Sequence, residues 1–391
     1  MSDAVLPYGR QTIDDDDIAA VAEALRADFL TTGPTVDAFE RAFAETVGAK
    51  HAVACANGTA ALHLAMLALD VRPGEVVIVP SITFLATANC ARYVGADVIF
   101  ADVDPASGLM TPATLAEAIG RLGGRKLRAV LPVHLRGDAC DLPELEKLAY
   151  QQRAVLVEDA PHALGTTAKF GNVTETIGDV RHSAMATFSF HPVKTIATGE
   201  GGMVTTNDPA LAERLRTLRS HGMVRPARAE PWWYEMPEPG FNYRLPDILC
   251  ALGLSQLAKL PRFAARRRAL AGAYETALAP LAPLVRPAAR PTWSDPVLHL
   301  MCVLIDFETA GRTRREVVDA LRARGVGTQV HYIPVHRHSF YRARFPDVSM
   351  PVAEAAYERL LTLPLFAAMT DDDVDDAVRA LDKVTAAYRA A

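Results

Sequence analysis

Residues 51–69, HAVACANGTAALHLAMLAL, carry the pattern that decides the fold. HAVACAN is a short apolar run typical of a buried strand, and GTAALHLAMLAL has the length and apolar stripe of a helix. This helix would begin at Gly58 and Thr59, directly after the strand. A strand that passes through glycine into a helix is typical of an α/β fold with an anion site at the helix N-terminus.

The alternation of helices and strands extends in both directions from this stretch. A helix is predicted over residues 13–29, where acidic residues in the first turn suit the helix dipole. Further strands are predicted in EVVIVP (75–80), DVIFADVD (97–104), RAVLPVH (128–134), AVLVEDA (154–160), MATFSFH (185–191) and GGMVTTND (201–208). Their nearly continuous apolar character indicates burial on both faces, as in a parallel sheet covered by helices.

A second, smaller unit is predicted near the C-terminus. A helical region ends in LAGAYETALAPL (270–281), and the proline-rich segment PLVRPAARPTWSDP (283–296) has the composition of a connection. The predicted elements beyond it are a strand HLMCVLID (299–306), a helix RTRREVVDALRARG (312–325), a strand GTQVHY (327–332) and a helix DDDVDDAVRALDKVTAAY (371–388). We therefore expect two domains, over residues 1–260 and 261–391.

Composition narrows the class of protein. The 391 residues are half hydrophobic, and their net charge of −5 comes without long charged blocks, so neither a nucleic acid nor an anionic membrane is an expected partner. No apolar run has the length of a bilayer span, and the N-terminus turns acidic at once, unlike a signal peptide. The five cysteines are scattered without a CxxC pair, which favours reduced thiols over disulfides or a metal site. A cytoplasmic protein that binds small molecules and a second copy of itself is expected.

Two residues at predicted strand ends suggest pyridoxal phosphate chemistry. Lys194 lies just past a strand, in FSFHPVKTIATGEGG (188–202), where it would project from the carboxyl edge of the sheet. A partly desolvated lysine there supplies a neutral amine and a base. Asp159 ends the strand AVLVEDA and would reach the same edge, where its carboxylate could keep a pyridine nitrogen protonated. For isolated residues, a solvated surface lysine and a helix-capping aspartate are the more common roles.

Other residues in these segments suit the remaining parts of such a site. The turn that begins the helix at Gly58 offers backbone amides for a phosphate, and Ser189 could add a hydroxyl. Phe84 could cover the cofactor ring, although an aromatic residue at this place is usually part of the core. His162 could bond the phenolic oxygen of the cofactor, or it could be an ordinary helix-cap histidine. Glu158 should point away by strand alternation.

Several longer motifs resemble a known family. EDAPHALG (158–165), SFHPVKTIATGEGGMVTTND (189–208), RSHGM (219–223), GFNYRLPD (240–247) and ALGLSQL (251–257) resemble the DegT/DnrJ/EryC1/StrS nucleotide-sugar aminotransferases over nearly the whole chain. The resemblance implies an aspartate aminotransferase-like fold, fold type I, with a large mixed, mostly parallel sheet domain and a smaller C-terminal α+β domain. It implies a pyridoxal 5'-phosphate-dependent aminotransferase without a metal.

The resemblance also assigns site residues and partners. It implies Lys194 and Asp159 as catalytic residues. Cofactor contacts are implied for Gly58, Thr59, Ala60, Phe84, Asp159, His162, Ser189 and Lys194, and for Asn242 from a neighbouring subunit, so that a homodimer shares its active sites. Arg244, His331 and Tyr332 would approach the nucleotide sugar.

Within the family, the opening PYGRQTIDDDDIAAVAEALRADFLTTGP (7–34) and QVHYIPVHRHSFYR (329–342) look most like transaminases of the pseudaminic acid pathway. This likeness implies transfer of the amino group of L-glutamate to the 4-keto carbon of a UDP-4-keto-6-deoxy-N-acetylhexosamine. The alternatives are another nucleotide-linked keto sugar, such as a GDP-4-keto-6-deoxyhexose or a 3-keto sugar, and a sugar dehydratase. Related dehydratases carry histidine in place of the lysine, so Lys194 argues against the last. A cofactor-binding regulator would need a basic DNA-reading segment, which the sequence lacks.

Two positions depart from the family pattern. Many relatives have glutamine where this chain has His162, and PVHLYGQPAD is commoner than the PVHLRGDACD found here at residues 132–141, which puts Arg136 where an aromatic residue is frequent. Both positions are candidates for facing the substrate. The loop at residues 224–240 contains Trp232 and Trp233 and could either close over a ligand or cover the core.

Overall fold

The computed structural model describes residues 5–227 and 230–385. Within these ranges the α-helices are α1 (Asp15–Arg26), α2 (Pro34–Val47), α3 (Gly58–Ala68), α4 (Leu85–Tyr93), α5 (Pro112–Gly120), α6 (Leu142–Gln151), α7 (Pro209–Arg219), α8 (Asp247–Ala258), α9 (Leu260–Leu278), α10 (Arg314–Arg322), α11 (Ser339–Arg344), α12 (Pro351–Arg359) and α13 (Asp371–Thr385). The strands are β1 (His51–Cys55), β2 (Val76–Pro80), β3 (Asp97–Ala101), β4 (Leu127–Val130), β5 (Val155–Asp159), β6 (Thr167–Phe170), β7 (Val173–Thr176), β8 (Met185–Ser189), β9 (Gly202–Thr206), β10 (Val285–Pro287), β11 (Ser294–Asp295), β12 (Met301–Ile305) and β13 (Leu360–Leu363).

A seven-stranded sheet forms the centre of the larger unit, in the order β1-β9-β8-β5-β4-β2-β3. Strand β9 is antiparallel to both of its neighbours, whereas the pairs from β8 to β3 are parallel. The expectation of a large mixed, mostly parallel sheet is therefore confirmed. Residues of β2 and β9 are buried throughout, because helices cover both faces of the sheet.

The connections of this sheet bring chemically active segments to one edge. Parallel strands such as β5 and β8 end on the same side of a sheet, so Asp159 and Ser189 emerge as neighbours. Strand β1 runs in the same direction and passes into α3 through Asn57. The start of α3, the end of β5 and the turn after β8 consequently meet at one place.

The C-terminal part of the chain builds a second hydrophobic cluster. Strands β10, β12 and β13 form an antiparallel sheet. Helix α9 contacts β10, and buried side chains of α10 and α13 join those of α9 and the strands in one cluster. This cluster draws its side chains from Leu270 to Val384, whereas Phe263, earlier in α9, belongs to the cluster of the large sheet. The domain boundary after residue 260 stays a prediction, as does the part of the last helix at residues 386–388, which lies outside the described residues.

Some predicted elements differ from the structure. GTQVHY (327–332) is not a strand, because within it only Gln329 forms an isolated bridge. Residues 329–332 instead line the cavity. The proline-rich connection contains the short strands β10 and β11. Strand β11 joins the hairpin of β6 and β7, which the sequence did not predict. These strands are two to four residues long, too short to show a periodic pattern.

Candidate active site

A cavity of about 650 Å³ opens at the edge where these segments meet. This volume lies within the usual range for small-molecule sites. The residues predicted for the site that line it are Gly58, Thr59, Phe84, Asp159, His162, Ser189, Lys194, His331 and Tyr332. Three others, Ala60, Asn242 and Arg244, are not among the lining residues of this chain.

Lys194 lies in the turn that follows β8. Its backbone N–H donates to the carbonyl oxygen of His191 at 2.8 Å, which fixes the turn and places the side chain at the cavity wall. Burial lowers the pKa of the Lys194 ammonium to about 8. The carboxylate of Asp159 opposes this shift, and the positive charge of Arg267 adds to it. The cavity therefore holds an amine that deprotonates far more readily than an exposed lysine.

Asp159, the last residue of β5, presents a buried carboxyl group to the same cavity. Its Oδ2 accepts a hydrogen bond from Thr87 Oγ1 at 2.5 Å, and Thr83 Oγ1 lies 2.6 Å from Thr87 Oγ1. Burial raises the pKa of Asp159, while the Thr87 bond and the Lys194 charge lower it. A carboxylate so placed gains most from a cationic partner, and a protonated pyridine nitrogen is such a partner.

Glu158 points to the other side of β5. Its carboxylate lies 3.0 Å from His134 Nε2 and accepts a hydrogen bond from Ser183 Oγ at 2.5 Å. The side chain is buried and does not line the cavity. Side-chain alternation along the strand thus separates a structural carboxyl group from the one that faces the cavity.

The start of α3 forms an anion cradle. Asn57 caps the helix, and its side-chain oxygen accepts from the Ala60 N–H at 2.8 Å. This leaves the N–H groups of Gly58 and Thr59 without an acceptor among the described residues. Because Ala60 is buried and its amide is occupied, the geometry does not support a contact of its N–H with a phosphate.

Ser189 closes this cradle from the neighbouring strand. A Cβ added to Gly58 would lie 2.8 Å from Ser189 Cβ and 3.2 Å from its Oγ, so only glycine permits this close approach. Two free amides and a hydroxyl at a helix N-terminus match the needs of a phosphate dianion. The donor set therefore fits the phosphate of pyridoxal phosphate, as Lys194 and Asp159 fit its reactive ring.

Phe84 lines another part of the cavity. It precedes α4 and is 56% exposed, although it borders an otherwise buried segment. The ring centroid lies 6.0 Å from that of Tyr332. An aromatic face left open in a cavity suits stacking on a flat heterocycle, so the position of Phe84 fits the predicted role.

A cluster of histidines and a tyrosine forms the remaining wall. The His162 and His299 ring centroids are 4.5 Å apart, and His162 Nε2 lies 3.2 Å from Tyr332 Oη. Burial lowers the pKa of His162, His299 and His331, the last to about 4, and the nearby positive charge of Lys194 acts in the same direction. The wall is therefore uncharged at neutral pH and offers both hydrogen-bond donors and acceptors.

Sequence reasoning missed several residues of the site. His299 opens a predicted strand, Arg267 lies in an arginine run that looks like a solvated helix face, and Thr87 looks like an ordinary helix residue. Arg267 is 1% exposed and donates to the carbonyl oxygens of Leu298, His299 and Leu365. No local signal distinguishes these residues, because their proximity to the cavity arises from long-range packing.

Other expectations fall outside the cavity. Arg136 is buried beside Asp138, with Nη2 2.8 Å from Oδ2, so its side chain does not face the cavity. Asn242 is exposed, and its predicted contact with a neighbouring subunit stays a prediction, as does the role of the half-buried Arg244. Trp232 and Trp233 are exposed; the loop that carries them includes residues 228–229, which lie outside the described ranges.

In residues 5–227 and 230–385, no group of three or more histidine, cysteine, aspartate or glutamate side chains is arranged to hold a metal ion. Over the same ranges, no helix combines the length and hydropathy that crossing a bilayer requires.

The sequence and the structure are similar to those of known proteins. A model of the DegT/DnrJ/EryC1/StrS aminotransferase family matches residues 11–382. The spore coat polysaccharide biosynthesis protein SpsC of Bacillus subtilis is 39% identical over 388 residues, which cover 96% of each chain. The Helicobacter pylori aminotransferase PseC, involved in the biosynthesis of pseudoaminic acid, superposes with a TM-score of 0.89 at 28% identity, covering 98% of this chain and 99% of PseC. The structure of DesI in the presence of its TDP-sugar product gives a TM-score of 0.87 at 32% identity, covering 100% of this chain and 95% of DesI.

Proposed function

This chain belongs to the DegT/DnrJ/EryC1/StrS aminotransferase family, and we propose that it transfers the amino group of L-glutamate to the 4-keto carbon of a UDP-4-keto-6-deoxy-N-acetylhexosamine. The predictions of fold type I, of a sugar aminotransferase and of pyridoxal phosphate as cofactor are confirmed by the family match and the structural neighbours. The amino donor, the nucleotide base and the sugar of the substrate are proposals.

The observation that carries the proposal is the pairing of a readily deprotonated Lys194 with an uncharged, hydrogen-bonding wall in one cavity. The wall of His162, His299, His331 and Tyr332 suits the hydroxyl, carbonyl and acylamino groups of a sugar, which need donors and acceptors but no counter-charge. The similarity to PseC along 98% of this chain supports a substrate of the pseudaminic acid type.

Each residue of the site has a definable task in this reaction. Pyridoxal phosphate, when bound, supplies an electron-withdrawing ring that accepts and releases the amino group. Lys194 would hold the ring covalently and, as a free amine, carry the proton between the two carbons involved. Asp159 would keep the ring nitrogen protonated, while Gly58, Thr59 and Ser189 hold the phosphate. Phe84 would cover the ring and exclude water from one face.

A second substrate class has its own support. SpsC, whose name refers to spore coat polysaccharide, is more similar in sequence than PseC is, and the product of DesI is a TDP-sugar. These relatives favour amination of a different nucleotide-linked keto sugar by the same residues. A GDP-linked 4-keto-6-deoxyhexose and a 3-keto sugar are the alternatives to test. The dehydratase alternative is disfavoured because a lysine, Lys194, occupies the cavity.

The two half-reactions can be tested separately. L-glutamate should convert the yellow, lysine-bound form of the enzyme into the pyridoxamine form, which is followed by its absorbance. The isolated pyridoxamine form is then mixed in single turnover with UDP-, GDP- and TDP-linked 4-keto sugars and with a 3-keto sugar. Fastest recovery of the yellow form with the UDP-linked N-acetyl sugar would support the proposal. A preference of tenfold or more for another sugar would replace it, and no response to glutamate would exclude glutamate as donor.

We also propose a homodimer that shares its active sites and works in the cytoplasm. All five cysteines in the described chain are buried and unpaired, as expected in a reducing compartment. Asn242 is exposed and outside the cavity of its own chain, which suits a contact with the phosphate in a partner's cavity.

A complementation experiment tests this shared site. Lys194→Ala and Asn242→Ala subunits, each defective alone, are mixed so that hybrid dimers form. If Asn242 acts in the partner's cavity, each hybrid has one site with both defects and one with neither, so activity returns. Failure of the mixture to regain activity, despite a dimer of measured mass, would place Asn242 outside the shared site.

A further inference from the structure

The two departures from the family pattern, at residues 136 and 162, are joined by a hydrogen bond. The backbone N–H of Arg136 donates to His162 Nδ1 at 3.2 Å, and on the other side of the ring His162 Nε2 lies 3.2 Å from Tyr332 Oη. The chain of contacts thus runs from a buried backbone amide, through an imidazole, to a hydroxyl that lines the cavity.

The direction of each hydrogen bond in this chain follows from its first member. A backbone amide can only donate, so His162 Nδ1 must be an unprotonated acceptor. A neutral imidazole then carries its proton on Nε2, which makes Nε2 the donor to Tyr332 Oη. The Tyr332 oxygen accepts this bond, and its own proton is left to be donated elsewhere. We propose that His162 is a positioning residue that directs the Tyr332 hydroxyl proton toward an acceptor oxygen on the bound ligand.

The neutral state of His162 supports this tautomer. The side chain is buried, and burial together with the Lys194 charge holds its pKa well below the usual value. A protonated ring would need an acceptor at Nδ1, where the structure has the Arg136 N–H instead. Both observations exclude the imidazolium form at neutral pH.

The amide that fixes the tautomer is itself held rigidly. Arg136 has a positive φ of 64°. Its guanidinium forms an ion pair with Asp138 at 2.8 Å and donates a hydrogen bond to the carbonyl oxygen of Ala289 at 2.9 Å. Its own carbonyl oxygen accepts from the His299 backbone N–H at 2.7 Å. The buried arginine therefore anchors the turn that aims the amide at His162, although it never enters the cavity.

The ligand atom must be an electron-rich oxygen that accepts an O–H hydrogen bond. Two acceptor oxygens lie next to the carbons that exchange the amino group: the phenolic oxygen of pyridoxal phosphate and the carbonyl oxygen of the keto sugar. His162 was expected to donate to the first of these, but its Nε2 faces Tyr332, so Tyr332 is the available donor. The choice of sugar oxygen rests on the proposed function, whereas the cofactor oxygen depends only on the confirmed cofactor.

Two substitutions of His162 separate positioning from packing. The oxygen of asparagine can replace Nδ1 as acceptor for the Arg136 amide but leaves Tyr332 without its donor. The terminal amide of glutamine reaches the place of Nε2 and can donate to Tyr332. We expect His162→Asn to match Tyr332→Phe, and His162→Gln to retain most of the wild-type behaviour. The double variant H162N/Y332F should be no worse than Tyr332→Phe alone, because both remove one device.

Three measurements identify the oxygen that is served. The absorbance spectrum of the resting holoenzyme, and its pH titration, report on the phenolic oxygen without any turnover. The glutamate and keto-sugar half-reactions are then measured separately. If the cofactor oxygen is served, the effects of His162→Asn and Tyr332→Phe appear as a shifted spectrum and as slowing of both half-reactions. If the sugar oxygen is served, the spectrum and the glutamate half-reaction stay as in wild type, and only the sugar half-reaction slows, by about 10- to 100-fold.

A matched control tests for general damage. Tyr341→Phe removes a buried hydroxyl that donates to Asn89 Oδ1 at 2.7 Å outside the cavity, so it should change neither the spectrum nor either half-reaction. Additive losses in H162N/Y332F, or a His162→Gln variant as impaired as His162→Asn, would overturn the proposal. Unchanged spectra and rates in Tyr332→Phe would do the same. Failure of every UDP sugar with an intact glutamate half-reaction would instead count against the proposed substrate alone.

Discussion

The buried Lys194 amine should lower the stability of the protein when it is free of cofactor. Burial moves the pKa of Lys194 from 10.5 to about 8, with the attraction to Asp159 already included. A shift of this size corresponds to about 3 kcal/mol of unfavourable free energy for the charged native form at neutral pH. Lys194→Met keeps the length of the side chain and removes the charge. We therefore expect the methionine variant of the cofactor-free protein to be more stable at pH 7 by up to about 3 kcal/mol.

The pH dependence of this difference has a definite sign. Below pH 8 the lysine is protonated in both the native and the unfolded protein, so the whole penalty is present. As the pH rises from about 8 to 10.5, the native lysine has lost its proton while the unfolded one still holds it. The wild-type protein therefore gains stability relative to the variant in this range, and the gap between them narrows.

Urea unfolding of both proteins, stripped of cofactor and at one concentration, measures this gap at pH 7.0 and again near pH 9.5. Lys169→Met is the matched control, because Lys169 is exposed on β6 and the same substitution there removes no buried charge. We expect the control to change the free energy of unfolding by less than about 0.5 kcal/mol at either pH. A Lys194→Met variant that is no more stable than wild type at pH 7, or a gap that does not depend on pH, would refute the reasoning.

Further predictions concern cofactor binding and turnover. Gly58→Ala should weaken cofactor affinity, because its Cβ would lie 2.8 Å from a Ser189 carbon, whereas Gly272→Ala, where a Cβ meets nothing within 4 Å, should leave affinity unchanged; a fluorescence titration with pyridoxal phosphate compares them. Thr87→Val removes the 2.5 Å bond to Asp159 and should cost about 1 to 3 kcal/mol of stability, measured by chemical denaturation; an unaltered midpoint and slope would argue against that bond. Lys194→Ala should abolish turnover while circular dichroism shows an intact fold, and full activity in this variant would contradict the central assignment.

Local patterns in the sequence were sufficient for the main lines of the fold. Residues 51–69 form strand β1 and helix α3 as predicted, because a short apolar run and a longer apolar stripe separated by glycine leave little choice of structure. Lys194 and Asp159 could be placed at one edge because parallel strands end on the same side of their sheet. The substrate, by contrast, was suggested by resemblance and not by any periodicity.

Contacts between distant segments decided the rest. The Asn57 side chain takes the Ala60 amide, Arg136 turns inward to pair with Asp138, and Arg267 from a helix lies buried behind Lys194. Sequence spacing alone could not predict any of these contacts. A capping hydrogen bond competes with a ligand contact only once the turn has folded. An arginine in a run of arginines looks like a surface residue until its neighbours in the fold are known.

The sequence by itself determined that this chain is an α/β protein with a lysine and an aspartate at one sheet edge, because strand and helix periodicities are local properties. Only the tertiary structure decided that His162 and Tyr332, 170 residues apart, share a hydrogen bond in a fixed direction. The physical reason is that a tautomer depends on which group faces each ring nitrogen. That is a property of packing between segments distant in sequence, and no single segment contains it.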